Sequence, residues 1–128
     1  MNMGRKLELI NPTNCEKFQE LPYHAWEDVK TLLIKAGMNQ GKWKHSALEQ
    51  RIELVLGAMN YFRENIETIA RDITLQMGKP IRQSRNEVKG MIHRAEVCCD
   101  LAEAALMDIV LPEAEGLQRF IKREPLGV

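Results

Sequence analysis

Residues 66–106, IETIARDITLQMGKPIRQSRNEVKGMIHRAEVCCDLAEAAL, decide the fold. Ile66, Ile69, Ala70, Ile73 and Met77 recur at helical spacing, so residues 66–77 read as an amphipathic helix with Asn65 as its N-cap. Gly78 is placed for a left-handed C-cap, and Pro80 two residues on cannot continue that helix. A second, longer helix follows over about 81–106, with the apolar stripe Val88, Met91, Ile92, Ala95, Cys99, Ala102 and Leu106. Ser84-Arg85-Asn86-Glu87 matches a capping box near its start.

Upstream, Ser46-Ala47-Leu48-Glu49 reads as another capping box, in which the Ser hydroxyl accepts a backbone N–H and the Glu reaches back. The helix it opens carries Leu48, Ile52, Val55, Leu56, Met59 and Phe62 on one face. An earlier helix begins near residue 26, with Val29, Leu32, Leu33 and Ala36 in phase and Gly37 and Gly41 punctuating its end. Residues 7–10 form a short strand ended by Asn11-Pro12, and Phe18 to Leu21 are its expected partner. Downstream, Ile109-Val110-Leu111, a turn region Pro112 to Gly116, and Leu117 to Lys122 read as a hairpin. The expected fold class is predominantly α with short β elements, an α+β arrangement without internal repeats.

Composition narrows the function classes. Eighteen basic residues balance eighteen acidic ones, which argues against nucleic-acid binding and against a polybasic membrane anchor. No run approaches the roughly 20 apolar residues of a membrane helix, and Met1 to Lys6 lead into no signal-peptide core. Three cysteines, Cys15, Cys98 and Cys99, make no disulfide framework, so the expected location is the reducing cytoplasm.

Individual residues with reactive side chains are better read as structural. Cys98 and Cys99 point about 100° apart on a helix, poor geometry for a shared metal, and no His or acid is placed to activate either thiol. They read as small core residues, and Cys15 as a free thiol beside a turn. His24, His45 and His93 have no Cys or His three or four residues on, so zinc is not expected. Lys79, Arg82 and Arg85 could bind phosphate at a helix N-terminus, but such charges are more often a solvated face. Trp26 and Trp43 read as packing anchors at helix ends.

Four segments carry a family resemblance. Ile10-Asn11-Pro12-Thr13, then Trp43 with Ser46, Arg51, Leu56 and Ala58, then Met77-Gly78-Lys79-Pro80-Ile81 with Glu87-Val88, and finally Arg123-Glu124-Pro125-Leu126-Gly127-Val128 stand in the order and at the spacing of NAD(P)-dependent aldehyde dehydrogenases. The chain resembles the N-terminal part of that family over about residues 7–128. Gln76 departs from the pattern, since an acidic residue is common before the Gly-Lys-Pro turn. Lys79, within that turn, looks structural.

The resemblance implies that residues 1–107 are the N-terminal helical part of a dinucleotide-binding domain, similar to the helices flanking a Rossmann-type sheet. It implies that residues 108–128 are a β-hairpin oligomerisation arm and the start of a core strand. The implied parent reaction is oxidation of an aldehyde to a carboxylic acid by thiolate attack, hydride transfer to NAD or NADP, and thioester hydrolysis. The family's PWNFP-like turn, glycine-rich cofactor loop, ELGGK-like strand and GQxC-like loop have no counterpart here. The glycines at 4, 37, 41, 57, 78, 90, 116 and 127 build no G-x-G-x-x-G.

This chain is therefore expected to be cut off before the cofactor loop and the catalytic cysteine. It is expected to carry no catalytic, cofactor-binding or metal residue, to bind no NAD or NADP alone, and to be inactive alone. Its expected partners are a second copy or a complementary chain, engaged through the 109–128 hairpin and exposed helix faces, with no nucleic acid and no membrane. The alternative is a free-standing helical interaction module without catalysis. Helices shaped to lie on a sheet would leave apolar surface bare, whereas a free-standing module would bury its stripes.

Overall fold

The computed structural model describes residues 6–128. Strands β1 (Lys6–Ile10) and β2 (Lys17–Pro22) form one antiparallel pair. Helices α1 (Trp26–Lys44), α2 (Leu48–Glu64), α3 (Ile66–Met77) and α4 (Ile81–Leu106) follow, and strands β3 (Ile109–Ala114) and β4 (Leu117–Ile121) close the chain as a second antiparallel pair. The fold class is as the periodicities predict, predominantly helical with two small sheets.

The core lies where α4 packs along α3 and α2. Met59, Val88 and Ile92 are buried together, with Phe62, Ile66, Ile69, Ile73 and Ala95 against them. Ala70 and Ser84 have no exposed surface, and the Thr74 and Ser84 hydroxyls share a hydrogen bond of 2.9 Å. Small side chains there let α3 and α4 approach closely, and the hydroxyl pair satisfies the buried Ser84.

Several local expectations do not hold. Gly37 and Gly41 do not end α1, which runs through both to Lys44; glycine weakens a helix without forbidding it. Ser46 does not cap α2. Its hydroxyl donates back to the Trp43 carbonyl at 2.7 Å, and the N-cap is Ala47 with no side-chain bond. Asn65 occupies the N-cap position of α3, but its amide donates to the Tyr61 carbonyl at 2.8 Å and makes no cap bond. Ser84 is no cap either, because Pro80 starts α4 and leaves Ser84 one turn inside, facing α3. Met77, expected inside, is exposed beside the corner.

Gly78 does adopt the left-handed conformation, φ +69°, and its N–H donates to the Thr74 carbonyl at 2.9 Å. The β1–β2 turn folds against this corner, so that a Cβ on Gly78 would lie 2.9 Å from Pro12 Cγ. The turn itself is held by Asn11 Oδ1 accepting from the Thr13 N–H at 3.0 Å and Asn14 Oδ1 accepting from the Glu16 N–H at 3.1 Å. Cys15 completes it at φ +59°.

Glu8 and Glu20 lie directly opposite across β1 and β2. Lys17 spans them, bonded to Glu8 at 3.1 Å and Glu20 at 2.9 Å, and Lys6 also pairs with Glu20. The Lys17 hydrogen bond, joined by Lys6, lowers the Glu20 carboxyl from 4.5 to about 2. A depressed carboxylate adds stability above its unfolded value and loses it as the pH falls toward the folded one. The hairpin is therefore expected to loosen between about pH 4.5 and pH 2. Glu67, held by Arg85, and Glu124, held by Lys44, act with the same sign. Carboxyl 13C titration is the check: Lys17→Met raises the Glu20 midpoint and leaves Glu67 unmoved. A Glu20 midpoint indifferent to Lys17 counts against the network.

The C-terminal hairpin differs from its expected boundaries. β3 extends to Ala114, and the turn is the pair Glu115–Gly116, with φ +54° and +77°, the left-handed pair that matches strand twist in a two-residue turn. The register slips between Leu111 and Ala114. Pro112, which cannot donate to a ladder, sits in that irregularity, and Arg119 closes it by donating to the Pro112 carbonyl at 3.1 and 2.8 Å.

Candidate functional site

Cys15 and Cys98 are exposed and Cys99 is half-buried, so the expectation of Cys98 and Cys99 as core residues fails. Both Cys98 and Cys99 border the shallow groove between α2 and α4. His24 and His45 lie in the segments before and after α1 and His93 on α4, and among the described residues no three His, Cys, Asp or Glu side chains could share a metal ion. Trp26 is not a packing anchor. It is 65% exposed, with only Lys30 Nζ over its ring at 5.8 Å.

Of the three cations considered for phosphate, two are already neutralised. Lys79 pairs with Glu87, and Arg85 grips Glu67 with Nε at 2.8 and 3.0 Å and Nη2 at 2.8 Å. This fork-to-carboxylate geometry fixes α4 to α3. Arg82 lies on the first turn of α4.

Two concavities meet near the start of α2. A cleft of about 520 Å³ opens between the end of α1, the first turn of α2, the end of α4 and residues 122–125. Lys44, Arg51, Lys122 and Arg123 line it against Glu103 and Glu124. Glu124 is held by Lys44 at 2.7 Å and Lys122 at 3.2 Å, which keeps its carboxyl below the ordinary range. Arg123 Nη1 donates to the Met107 carbonyl at 2.8 Å, closing the end of α4. Beside the cleft, an apolar groove of about 300 Å³ runs between α2 and α4, past Trp43, Ile52, Val55, Ala95 and Cys99. Arg51 and Leu48 line both. The family-like segments explain why Trp43 and Arg51 attract notice in the sequence; the cleft needs elements far apart in the chain and has no local signal.

The described strands make two separate antiparallel pairs, whereas a dinucleotide crevice needs parallel strands joined through a helix, with a glycine-rich turn at the helix start. α2 and α4 start at Ala47 and Pro80 without such a turn.

Apolar surface is widely uncovered. α1 buries none of its residues, leaving Leu32, Leu33, Ile34 and Met38 more than half exposed. Leu54 and Leu101 are similarly bare on α2 and α4, and on the hairpin Val110 is 81% and Phe120 58% exposed. No helix among the described residues is long and apolar enough to cross a membrane.

A family model described as the aldehyde dehydrogenase family matches residues 1–128. Among curated relatives, a succinate semialdehyde dehydrogenase (NAD(P)+) of Escherichia coli (strain K12) is 31% identical over 120 residues, covering 92% of this chain and 25% of that protein. An acylating mitochondrial methylmalonate-semialdehyde dehydrogenase of Arabidopsis thaliana is 24% identical over 122 residues, covering 95% of this chain and 20% of that protein. The solved structure of succinic semialdehyde dehydrogenase from Streptococcus pyogenes with NADP+ superposes with a TM-score of 0.80 at 24% identity, over 88% of this chain and 25% of its own. The Gox0499 structure, solved to understand cofactor and substrate selection, gives 0.86 at 23% identity over 94% and 26%. The chain thus spans about a quarter of the length of the relatives it matches.

Proposed function

The chain belongs to the aldehyde dehydrogenase family, and from that premise we propose that it supplies scaffold, not chemistry, to an NAD(P)-dependent oxidation of an aldehyde to a carboxylic acid. The observation that carries this reading is the match along the whole chain joined to uncovered apolar faces. Helices that bury a free-standing core do not leave Leu32, Leu33, Ile34 and Met38 bare on one element. That pattern suits helices covered by a Rossmann-type sheet, and it weighs against a free-standing interaction module. Relatives and neighbours described with NAD(P)+ or NADP+ support the cofactor class of the complete enzyme. No residue of this chain is assigned a catalytic or cofactor-binding role, and the chain alone is inactive and binds no NAD or NADP on this reading. It works away from membranes and nucleic acid, in the cytoplasm.

The β3–β4 hairpin is the proposed association arm. Isolated two-stranded hairpins are marginal in water, and this one exposes every residue of β4. An open edge of that kind templates a further strand, from a second copy or from a complementary chain that supplies the sheet.

Sedimentation equilibrium over a hundredfold concentration range, with a parallel NAD fluorescence titration, tests both parts. Reversible self-association without NAD binding is expected. Val110→Lys with Phe120→Lys, which places like charges opposite each other across the register, is expected to weaken association tenfold or more, at about 1.4 kcal/mol per factor of ten. A compact monomer that binds NAD overturns the scaffold reading.

A further inference from the structure

We propose that the cleft around Arg51 is a seat for an oxygen anion, a carboxylate or a phosphate, taken by the Arg51 guanidinium. Among the described residues, Arg51 Nε is the one buried side-chain nitrogen or oxygen without a hydrogen-bond partner. The contrast with the Thr74–Ser84 pair is direct: there the buried Ser84 hydroxyl has the Thr74 hydroxyl as its partner. A guanidinium N–H removed from water and left unpaired is unfavourable, and such groups are rare in folded chains.

The surroundings specify what completes it. The cleft carries Lys44, Lys122 and Arg123 beside Arg51, against only Glu103 and Glu124. Glu124 is already held by two lysines. The wall therefore carries surplus positive charge, which selects an anion over a neutral carbonyl. The planar fork of a guanidinium matches the two oxygens of a carboxylate or phosphate. On its other side Arg51 borders the groove of Trp43, Ile52 and Val55. Apolar surroundings on that side lower the local dielectric, which strengthens a charge-assisted bond to the guanidinium. This seat is a property of the chain's own side chains and does not depend on the enzymatic reading above.

The Arg Nε–H group gives its own NMR signal, so the test reads the atom concerned. The 15N-labelled chain is titrated with inorganic phosphate, and separately with acetate, at constant ionic strength against a sodium chloride blank. The expected result is a saturable shift of the Arg51 Nε–H, while the Arg85 Nε–H, already bonded to Glu67, stays in place. Arg51→Lys, followed through the backbone N–H signals of Leu48 to Arg51, weakens binding about tenfold or more through loss of the fork. Tighter binding of phosphate than acetate assigns a free phosphate group as the source. Acetate binding as tight or tighter assigns a side-chain carboxylate from another polypeptide segment. An Arg51 signal that moves no more than in chloride, or in parallel with Arg85, overturns the proposal, and this wild-type titration stands even if the variant fails to fold.

Discussion

Replacing Ile92 with alanine is expected to cost about 2–4 kcal/mol and to shift the chemical-denaturation midpoint further than any surface substitution in the chain. Ile92 is 6% exposed and joins Met59 and Val88 where α4 meets α2 and α3. Phe62, Ile66, Ile69 and Ile73 pack around them but retain partial exposure. With so few fully buried apolar side chains, a cavity at the centre has little else to offset it. Native domains are stable by only about 5–15 kcal/mol, so this change removes a large share of the total. Leu33→Ala on α1 is the control. Leu33 is 53% exposed, and its truncation is expected to stay within about 0.5 kcal/mol. Equal midpoints for Ile92→Ala and the parent chain would show that the α2–α3–α4 contact is not the cooperative core.

The bareness of α1 sharpens this point. Glu27 and Asp28 in its first turn and Lys42 and Lys44 in its last complement the helix dipole. Those effects and a charge-balanced surface do not hold a helix of this length on their own, because most helical stability comes from tertiary packing of one face. α1 presents Leu32, Leu33, Ile34 and Met38 to solvent, and the scaffold reading proposed above has that face covered. The family relationship gives that face a reason: about three quarters of each matched relative's length lies outside the matching segment.

What the sequence made legible followed period and backbone constraint. The helices α2, α3 and α4, the left-handed Gly78 and the strand pairs on either side of the helices rest on local rules, although Met77, Val55, Leu56, Met91 and Leu106 of the expected stripes stay exposed. The capping boxes did not survive, and for a physical reason. Ser46 and Ser84 each have a nearer acceptor or partner than the N–H three residues on: the Trp43 carbonyl for one, the Thr74 hydroxyl for the other. Pro80, with its fixed φ, starts α4 earlier than the Ser84 motif suggests. The reactive-looking residues were legible as scattered, and the structure keeps them apart, though it exposes Cys98 and Trp26 where packing was expected. The Arg51 cleft was not legible. It is made by the ends of α1 and α4, the start of α2 and residues 122–125, and no window along the chain contains all four.

Gly78→Ala is expected to destabilise the chain by about 2–4 kcal/mol, from two costs that fall on the same atom. Gly78 sits at φ +69°, where an L-residue pays about 1–2 kcal/mol. The added Cβ would also meet Pro12 Cγ at 2.9 Å, and the stiff pyrrolidine ring cannot swing aside as a flexible side chain would. Either the β1–β2 turn must leave the α3–α4 corner or the corner must open. Gly90→Ala is the opposing control. Gly90 lies inside α4, and a methyl group added there would meet nothing within 4 Å, so alanine is expected to stabilise by about 0.5–1 kcal/mol. The same chemical change thus carries opposite signs at two glycines. Denaturation midpoints of the two variants measured against the parent decide it. If Gly78→Ala melts with the parent, the corner does not hold the turn, and the link from the N-terminal hairpin to the helical core must lie elsewhere.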